Sequence, residues 1–85
     1  MPYIIEESRK DIDRVIKNLP RHLHAAELNY IFCKIVLKHL KDAPKVDYAC
    51  INGVIGALEC AKLEIYRRLA VPYEEKKREE NGDVF

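Results

Sequence analysis

The residues from Asp47 to Leu69 form the stretch that most limits how this chain folds. Drawn as one helix at about 100° per residue, the stretch carries large aliphatic side chains on one face and small residues on the other. The first face is Ile51, Val54, Ile55, Leu58, Ile65 and Leu69, and the second is Ala49, Gly53, Gly56 and Cys60. Both faces favour burial, so we expect one long helix that packs against two partners.

The two glycines indicate what kind of partner covers the second face. Each Gly in a helix interior costs about 1 kcal/mol relative to Ala, which favours a close approach of another backbone at Gly53 and Gly56. The alternative is that Asn52-Gly53 forms a turn that divides the stretch into two helices. We favour the single helix, because the apolar spacing passes through both glycines without a change of phase.

Two earlier segments also have helical periodicity. Ser8 with Asp11 resembles an N-terminal capping arrangement, and the apolar face that follows stops before Pro20, which is expected to end the first helix. A second helix is predicted from about Ala25 to Lys41 and is apolar around most of its circumference. Such a helix needs neighbours on most of its sides.

The last part of the chain changes in composition. Val71-Pro72-Tyr73 is predicted to end the third helix, and Glu74 to Glu80 is a charged run with weak helical character. We expect the apolar pair Val84-Phe85 to dock, with Tyr3-Ile4-Ile5 as a candidate surface.

These elements predict an all-α protein, a three-helix antiparallel bundle with a long third helix and a charged C-terminal tail. Residues 1–71 are predicted to form a helical domain, and residues 72–85 a tail that packs on the domain or on a neighbouring subunit. A 23-residue third helix is about 35 Å long and extends beyond a core made with shorter helices. We therefore expect the protein to form a dimer or a higher homo-oligomer.

Composition excludes several classes of function. The net charge of +1 argues against general nucleic-acid binding, and the chain has no apolar run of membrane-spanning length. Met1-Pro2-Tyr3 leads directly into acidic residues, so we expect no secretory signal and a cytoplasmic location. Cys33, Cys50 and Cys60 fit neither a disulfide framework nor a metal spacing. We expect them to be buried, reduced side chains.

Catalytic and metal-binding patterns are also missing from the sequence. It contains no phosphate-binding glycine loop and no metalloprotease motif, and His22 and His24 have no further ligand nearby. We expect no enzymatic activity, no cofactor and no metal. A small hydrolase or lyase acting on a nucleotide is the weakest of three hypotheses.

Binding has more support, from aromatic and basic residues near the end of the third helix. Tyr66-Arg67-Arg68 is followed one turn later by Tyr73, and Arg21 lies in a loop before a helix N-terminus, where anions bind favourably. Tyrosine rings stack on bases, and guanidinium groups pair with phosphates. The alternative is that both arginines pair with Glu64 and the acidic tail and only stabilise the helix end.

Several motifs in a fixed order resemble a family of short uncharacterised proteins carried by phages and prophages. They are Pro2-Tyr3-Ile4, Leu28-Asn29-Tyr30, Asn52 with Gly56-Ala57-Leu58-Glu59, Tyr66-Arg67-Arg68, Pro72-Tyr73-Glu74 and Glu80-Asn81-Gly82-Asp83-Val84. The resemblance covers almost the whole chain, but the family has no settled activity to carry over. In size, in its predicted helical oligomer and in its Tyr and Arg residues, the chain is also similar to small oligomeric phage proteins that sequester nucleotide signals of bacterial defence.

The first hypothesis is therefore a phage-encoded, non-enzymatic sponge that sequesters a phosphate-bearing nucleotide messenger of anti-phage defence in the cytoplasm of the infected bacterium. Its predicted ligand-binding residues are Arg67, Arg68, Tyr66, Tyr73, Asn29, Tyr30, Asn52 and Arg21. The alternative is a helical interaction module that docks on a host or phage protein through the lysines of the second helix or an apolar face.

Overall fold

The computed structural model describes residues 2–85, and Met1, where the predicted domain 1–71 begins, lies outside the described residues. Helix α1 is Glu6–Lys17, α2 is Ala25–Asp42, α3 is Tyr48–Ile65, a π-helical turn is Tyr66–Ala70, and α4 is Val71–Asn81. Because the part of the chain that the structure describes contains helices and no strand, the all-α prediction is confirmed.

Helix α3 begins where the sequence predicts. The Asp47 carboxylate caps it, since Oδ1 accepts a hydrogen bond from the Cys50 backbone N–H at 2.9 Å. Helical backbone continues through Asn52 and Gly53 without a turn. The single-helix interpretation of this stretch is therefore confirmed, and the alternative of a turn at Asn52-Gly53 is wrong.

The predicted end of the third helix at Val71-Pro72-Tyr73 is wrong, because helical backbone continues to Asn81. Proline has no N–H to donate to the carbonyl of Arg68 four residues earlier, and its ring crowds that carbonyl. The preceding π turn is wider, and within it the Val71 N–H donates to the Tyr66 carbonyl instead. Pro72 thereby lies in the first turn of α4, where a missing donor costs little.

The charged run Glu74 to Glu80, predicted to have weak helical character, lies entirely within helix α4. The helix ends where Gly82 adopts φ 91° and donates its N–H to the Arg78 carbonyl at 2.8 Å. A side chain at this φ is strained, so glycine suits the position.

The predicted capping role of Ser8 is also wrong, because α1 begins two residues earlier, at Glu6. Ile5 lies at the N-cap in an extended conformation and makes no side-chain cap hydrogen bond. Glu6 and Glu7 place negative charge in the first turn, where it interacts favourably with the unpaired N–H groups of the helix start. This charge favours an earlier start than a serine cap alone would.

Two compact units make up the described chain, residues 2–54 and residues 55–85. Within residues 2–54, the N–H of His24 donates to Glu27 Oε1 at 3.0 Å at the start of α2. His22, in the preceding connection, has φ 58°, a left-handed conformation that histidine adopts more readily than most residues.

Apolar side chains in both units stay accessible to solvent, and none of the described side chains is buried. Ile12 is 52% exposed, Phe32 48% and Ile55 60%. The cysteines lie on these uncovered surfaces. Cys33 and Cys60 are exposed and Cys50 is partly exposed, all as free thiols, so the prediction of buried cysteines is wrong for the chain by itself.

Candidate functional site

Two arginines and one glutamate at the end of α3 form a compact charged group, which we call the arginine cluster (Glu64, Arg67 and Arg68). Arg67 Nη2 donates to Glu64 Oε1 at 2.7 Å, and Arg68 Nε donates to the same oxygen at 3.1 Å. The spacings of three and four residues place both side chains beside Glu64 on the helix surface. Two guanidinium groups therefore converge on one acceptor atom.

The cluster carries a net positive charge on an accessible surface. The Glu64 side chain is 24% exposed, whereas those of Arg67 and Arg68 are 65% and 58% exposed. Pairing with Glu64 is the alternative that the sequence left open, and it is observed. In these contacts one carboxylate opposes two guanidinium groups.

Two tyrosines flank the arginine cluster along the same helical stretch. Tyr66 opens the π turn and is 58% exposed, and Tyr73, in the first turn of α4, is 60% exposed. The Lys77 ammonium lies 5.7 Å from the centre of the Tyr73 ring, a cation–π distance. π turns inside helices often occur at functional sites. Two tyrosine rings and two guanidinium groups therefore lie within eight consecutive residues, from Tyr66 to Tyr73.

The other four predicted ligand-binding residues belong to residues 2–54. Asn29 and Tyr30 are neighbours on α2, where Asn29 Oδ1 accepts a weak hydrogen bond from Cys33 Sγ at 3.9 Å. The Lys34 ammonium lies 5.8 Å from the centre of the Tyr30 ring. Asn52 is exposed on α3, and Arg21 is exposed in the connection between α1 and α2. Their membership of one pocket with the arginine cluster stays a prediction.

Residues 2–54 also contain an apolar groove at the start of α2, which we call the α2 groove. It has a volume of about 390 Å³ and is lined by Leu19, Pro20, Leu23, Ala26, Glu27, Tyr30 and Ile31. Leu19, Leu23 and Ile31 are only partly exposed, which makes this one of the better covered regions of residues 2–54. The volume falls within the range of small-ligand pockets, about 300–1,000 Å³.

Sequence reasoning missed the lysines that accompany the tyrosines, and it missed the α2 groove. Lys34 follows Tyr30 by four residues and Lys77 follows Tyr73 by four, a spacing that brings side chains together on a helix. That signal was present in the sequence. The groove had no such signal, because it depends on how the connection before α2 folds back onto the helix.

Two further features are absent from residues 2–85. These residues contain no group of three or more His, Cys, Asp or Glu side chains arranged to hold a metal ion. None of their helices combines the length and apolar character that a membrane span requires.

Comparison with known proteins gives a family without an assigned activity. The chain belongs to the family described as "Domain of unknown function (DUF6899)", whose model matches residues 1–84. No curated protein and no solved structure matches the chain.

Proposed function

We propose that this protein is a non-enzymatic binding protein that takes up a phosphate-bearing nucleotide at the arginine cluster. The observation that carries the proposal is the convergence of Arg67 and Arg68 on one oxygen of Glu64, at 2.7 and 3.1 Å. A phosphate presents anionic oxygens to guanidinium groups much as a carboxylate does. In the bound state, phosphate oxygens take the place of Glu64 or share the two guanidinium groups with it.

The tyrosines extend this recognition from phosphate to nucleotide. The side chains of Tyr66 and Tyr73 are 58% and 60% exposed, which leaves aromatic surface accessible for stacking on a base. Stacking of one base on an aromatic side chain contributes about 1–3 kcal/mol. Lys77 lies over the Tyr73 ring and also pairs with Glu80 at 3.3 Å, so its positive charge next to the ring is shared with that carboxylate. Inorganic phosphate gains only the charge interactions, so it should bind more weakly than a nucleotide.

In its specific form the proposal is that of a sponge. The protein is phage-encoded, acts in the cytoplasm of the infected bacterium, and sequesters a nucleotide second messenger of anti-phage defence without converting it. Support comes from the resemblance to short phage proteins and from the similarity in size and helical composition to known sponges. The remaining predicted residues, Arg21, Asn29, Tyr30 and Asn52, complete the pocket in the assembled protein.

Assembly into a homo-oligomer is part of the proposal. Twenty-four large apolar side chains of the described residues are between 36% and 112% exposed. Burying one such side chain contributes about 1.5–3 kcal/mol, which corresponds to about 60–120 Å² of apolar surface. At roughly half exposure, the set holds about 1,000 Å², more than the 800 Å² or so that each partner contributes to a stable interface. A second copy of the chain would cover this apolar surface.

Isothermal titration calorimetry tests the nucleotide site. Candidate ligands are cyclic di- and trinucleotides, ADP-ribose derivatives and linear nucleotides, each titrated into wild-type protein, Arg67→Ala and Arg68→Ala. Loss of a charge-assisted hydrogen bond costs about 1.5–3 kcal/mol, so each substitution should weaken binding about 10- to 100-fold. Mass analysis of the ligand after incubation should show no conversion.

Arg14→Ala is the matched control, because Arg14 is a similarly exposed arginine that pairs with an acidic residue three positions earlier, Asp11, at 3.5 Å. It should leave affinity unchanged. Equal affinity of wild type and both cluster variants, or absence of binding for every ligand class, would overturn the proposed site. Steady conversion of a nucleotide would instead support the hydrolase or lyase hypothesis.

The second candidate is a helical interaction module that docks on a host or phage protein. The exposed apolar face of α2 favours it, with Ile35 56% and Leu37 58% exposed. On the lysine side of α2, Lys38 pairs with Asp42 at 2.6 Å. Pull-down from a bacterial lysate, with Leu37→Asp as the control variant, should yield a stoichiometric partner that the variant loses. A blank result with folded wild-type protein would count against it.

A further inference from the structure

Glu64 fills the position in the arginine cluster that a bound anion would take. Its Oε1 accepts a hydrogen bond from Arg67 Nη2 at 2.7 Å and another from Arg68 Nε at 3.1 Å. The Glu64 side chain is also the best covered of the three, with less than half the exposure of either arginine side chain. A nucleotide phosphate must therefore displace this carboxylate or share its donors.

The other charged side chains of residues 55–85 do not make this part of the chain attractive to anions. Outside the arginine cluster it contains four Lys or Arg and six Asp or Glu residues. Three ion pairs occur among them, Lys62–Glu59 at 3.0 Å, Lys77–Glu80 at 3.3 Å and Arg78–Asp83 at 4.0 Å. Exposed charges more than about 8–10 Å apart are largely screened by salt. Affinity for an anion thus depends on short contacts with Arg67 and Arg68.

Two kinds of phosphate in nucleotides differ in how well they compete with a carboxylate. A terminal phosphate monoester carries a charge of about −1.5 to −2 at pH 7 and three strong acceptor oxygens. A phosphate diester carries a single negative charge, and only two of its oxygens are free of ester bonds. Exchange of Glu64 for a diester replaces one monoanion by another at the same donors. A monoester brings more charge and one more acceptor oxygen.

We infer that the arginine cluster selects nucleotides with a terminal phosphate monoester over nucleotides whose phosphates are all diesters, such as cyclic nucleotides. The inference rests on the proposed nucleotide site and names the class of ligand that this site takes. Additional charge about 4 Å from each of two guanidinium groups corresponds to about tenfold in affinity, even at the dielectric constant of water. Linear nucleotides with a terminal phosphate are the favoured class.

Calorimetry with matched pairs of ligands tests this selection on the wild-type protein. The 5′-monophosphates of adenosine, guanosine, cytidine and uridine are each compared with their own methyl ester at about pH 7.5, where the monoester is mostly a dianion. Both members of a pair have the same base and sugar, so stacking on Tyr66 or Tyr73 is common to them. For the base that binds best, we expect the monophosphate to bind about tenfold more tightly than its ester.

Outcomes for the selection and for the nucleotide site are distinguishable. Equal affinity within each pair, with loss of both ligands in Arg67→Ala, would leave the nucleotide site in place and overturn the selection. Binding of cyclic nucleotides alone would overturn the selection in the same way. Absence of binding for every nucleotide class would overturn the proposed site and the selection together.

Glu64→Gln tests the reason for the selection, because glutamine keeps the shape of the side chain and removes the competing charge. The methyl ester should bind this variant about fivefold more tightly than it binds wild type. Glu59→Gln is the matched control, since Glu59 also pairs with a cation three residues later, Lys62, and its loss changes the net charge equally. It should leave ester affinity unchanged. No gain in Glu64→Gln, or an equal gain in both variants, would overturn the inference.

Discussion

Replacement of Gly53 or Gly56 by alanine should have opposite effects on the separate chain and on the assembled protein. In the separate chain, an ideal Cβ at either position meets nothing within 4 Å. Both residues lie inside α3, where alanine is favoured over glycine by about 1 kcal/mol. Each substitution should therefore stabilise the separate chain by that amount. For a domain of this size, the melting temperature should rise by about 4–8 °C.

In the assembly we expect the sign to reverse. The small-residue face is predicted to allow a close approach of another backbone, and an added methyl group in such a contact costs about 1–3 kcal/mol. Self-association measured by analytical ultracentrifugation should weaken for Gly53→Ala and for Gly56→Ala. Thermal unfolding should be followed at protein concentrations below and above the association midpoint, so that the two effects are separated.

Ala57→Gly is the matched control, because Ala57 lies next to Gly56 in α3 and is exposed. It reverses the backbone effect and should destabilise the chain by about 1 kcal/mol at every concentration. If the alanine variants are more stable at every concentration and assemble as wild type does, no backbone approaches this face. The reasoning that links the two glycines to assembly would then be wrong.

Three further perturbations have outcomes that the structure determines. Glu64→Gln removes the carboxylate that Arg67 and Arg68 share. The substitution should strengthen phosphate binding measured by calorimetry. Loss of the two ion pairs should lower the free energy of unfolding by less than about 1 kcal/mol per pair. A gain in stability together with unchanged phosphate affinity would contradict this. Gly82→Ala places a side chain at φ 91°, a strained conformation. Circular dichroism should show a shorter α4, and the free energy of unfolding should fall by about 1–3 kcal/mol. An unchanged spectrum and melting temperature would contradict this. Lys38 donates a hydrogen bond to Asp42, which raises the pKa of Lys38 above its ordinary value of 10.5. The stabilising effect of this pair is therefore present below pH 10.5 and is lost as the pH rises through the raised pKa. Alkaline titration followed by circular dichroism should show this loss in wild type and not in Lys38→Met.

The sequence was sufficient for the class of fold and for the location of most helices. The apolar spacing across Asn52 and Gly53 correctly indicated one helix, since a turn would have shifted the phase. The end of that helix was missed because proline was treated as a stop. In the π turn before Pro72, the Val71 N–H donates to the Tyr66 carbonyl. No residue pattern in the sequence predicted this turn.

The pairing of Arg67 and Arg68 with Glu64, which was the alternative to a ligand site, could be predicted from the sequence, whereas the predicted ligand-binding set stays a prediction. Spacing on one helix brought Arg67 and Arg68 within reach of Glu64, as helical geometry requires. The burial of the cysteines was predicted from their usual preference, and it was wrong because the chain leaves Cys33 and Cys60 exposed and Cys50 partly exposed. The α2 groove depends on backbone geometry before the helix, which includes a left-handed residue at His22.

Native mass spectrometry of the wild-type protein with candidate nucleotides tests the central claim most directly, because one spectrum reports both assembly and ligand. A ligand present at 100 times its dissociation constant binds nearly every site and stabilises the protein by about 2.7 kcal/mol. We expect an oligomer that carries an integral number of unmodified nucleotides of one chemical class, with a matching thermal shift. A ligand-free monomer in the presence of every nucleotide class would contradict both the assembly and the binding function.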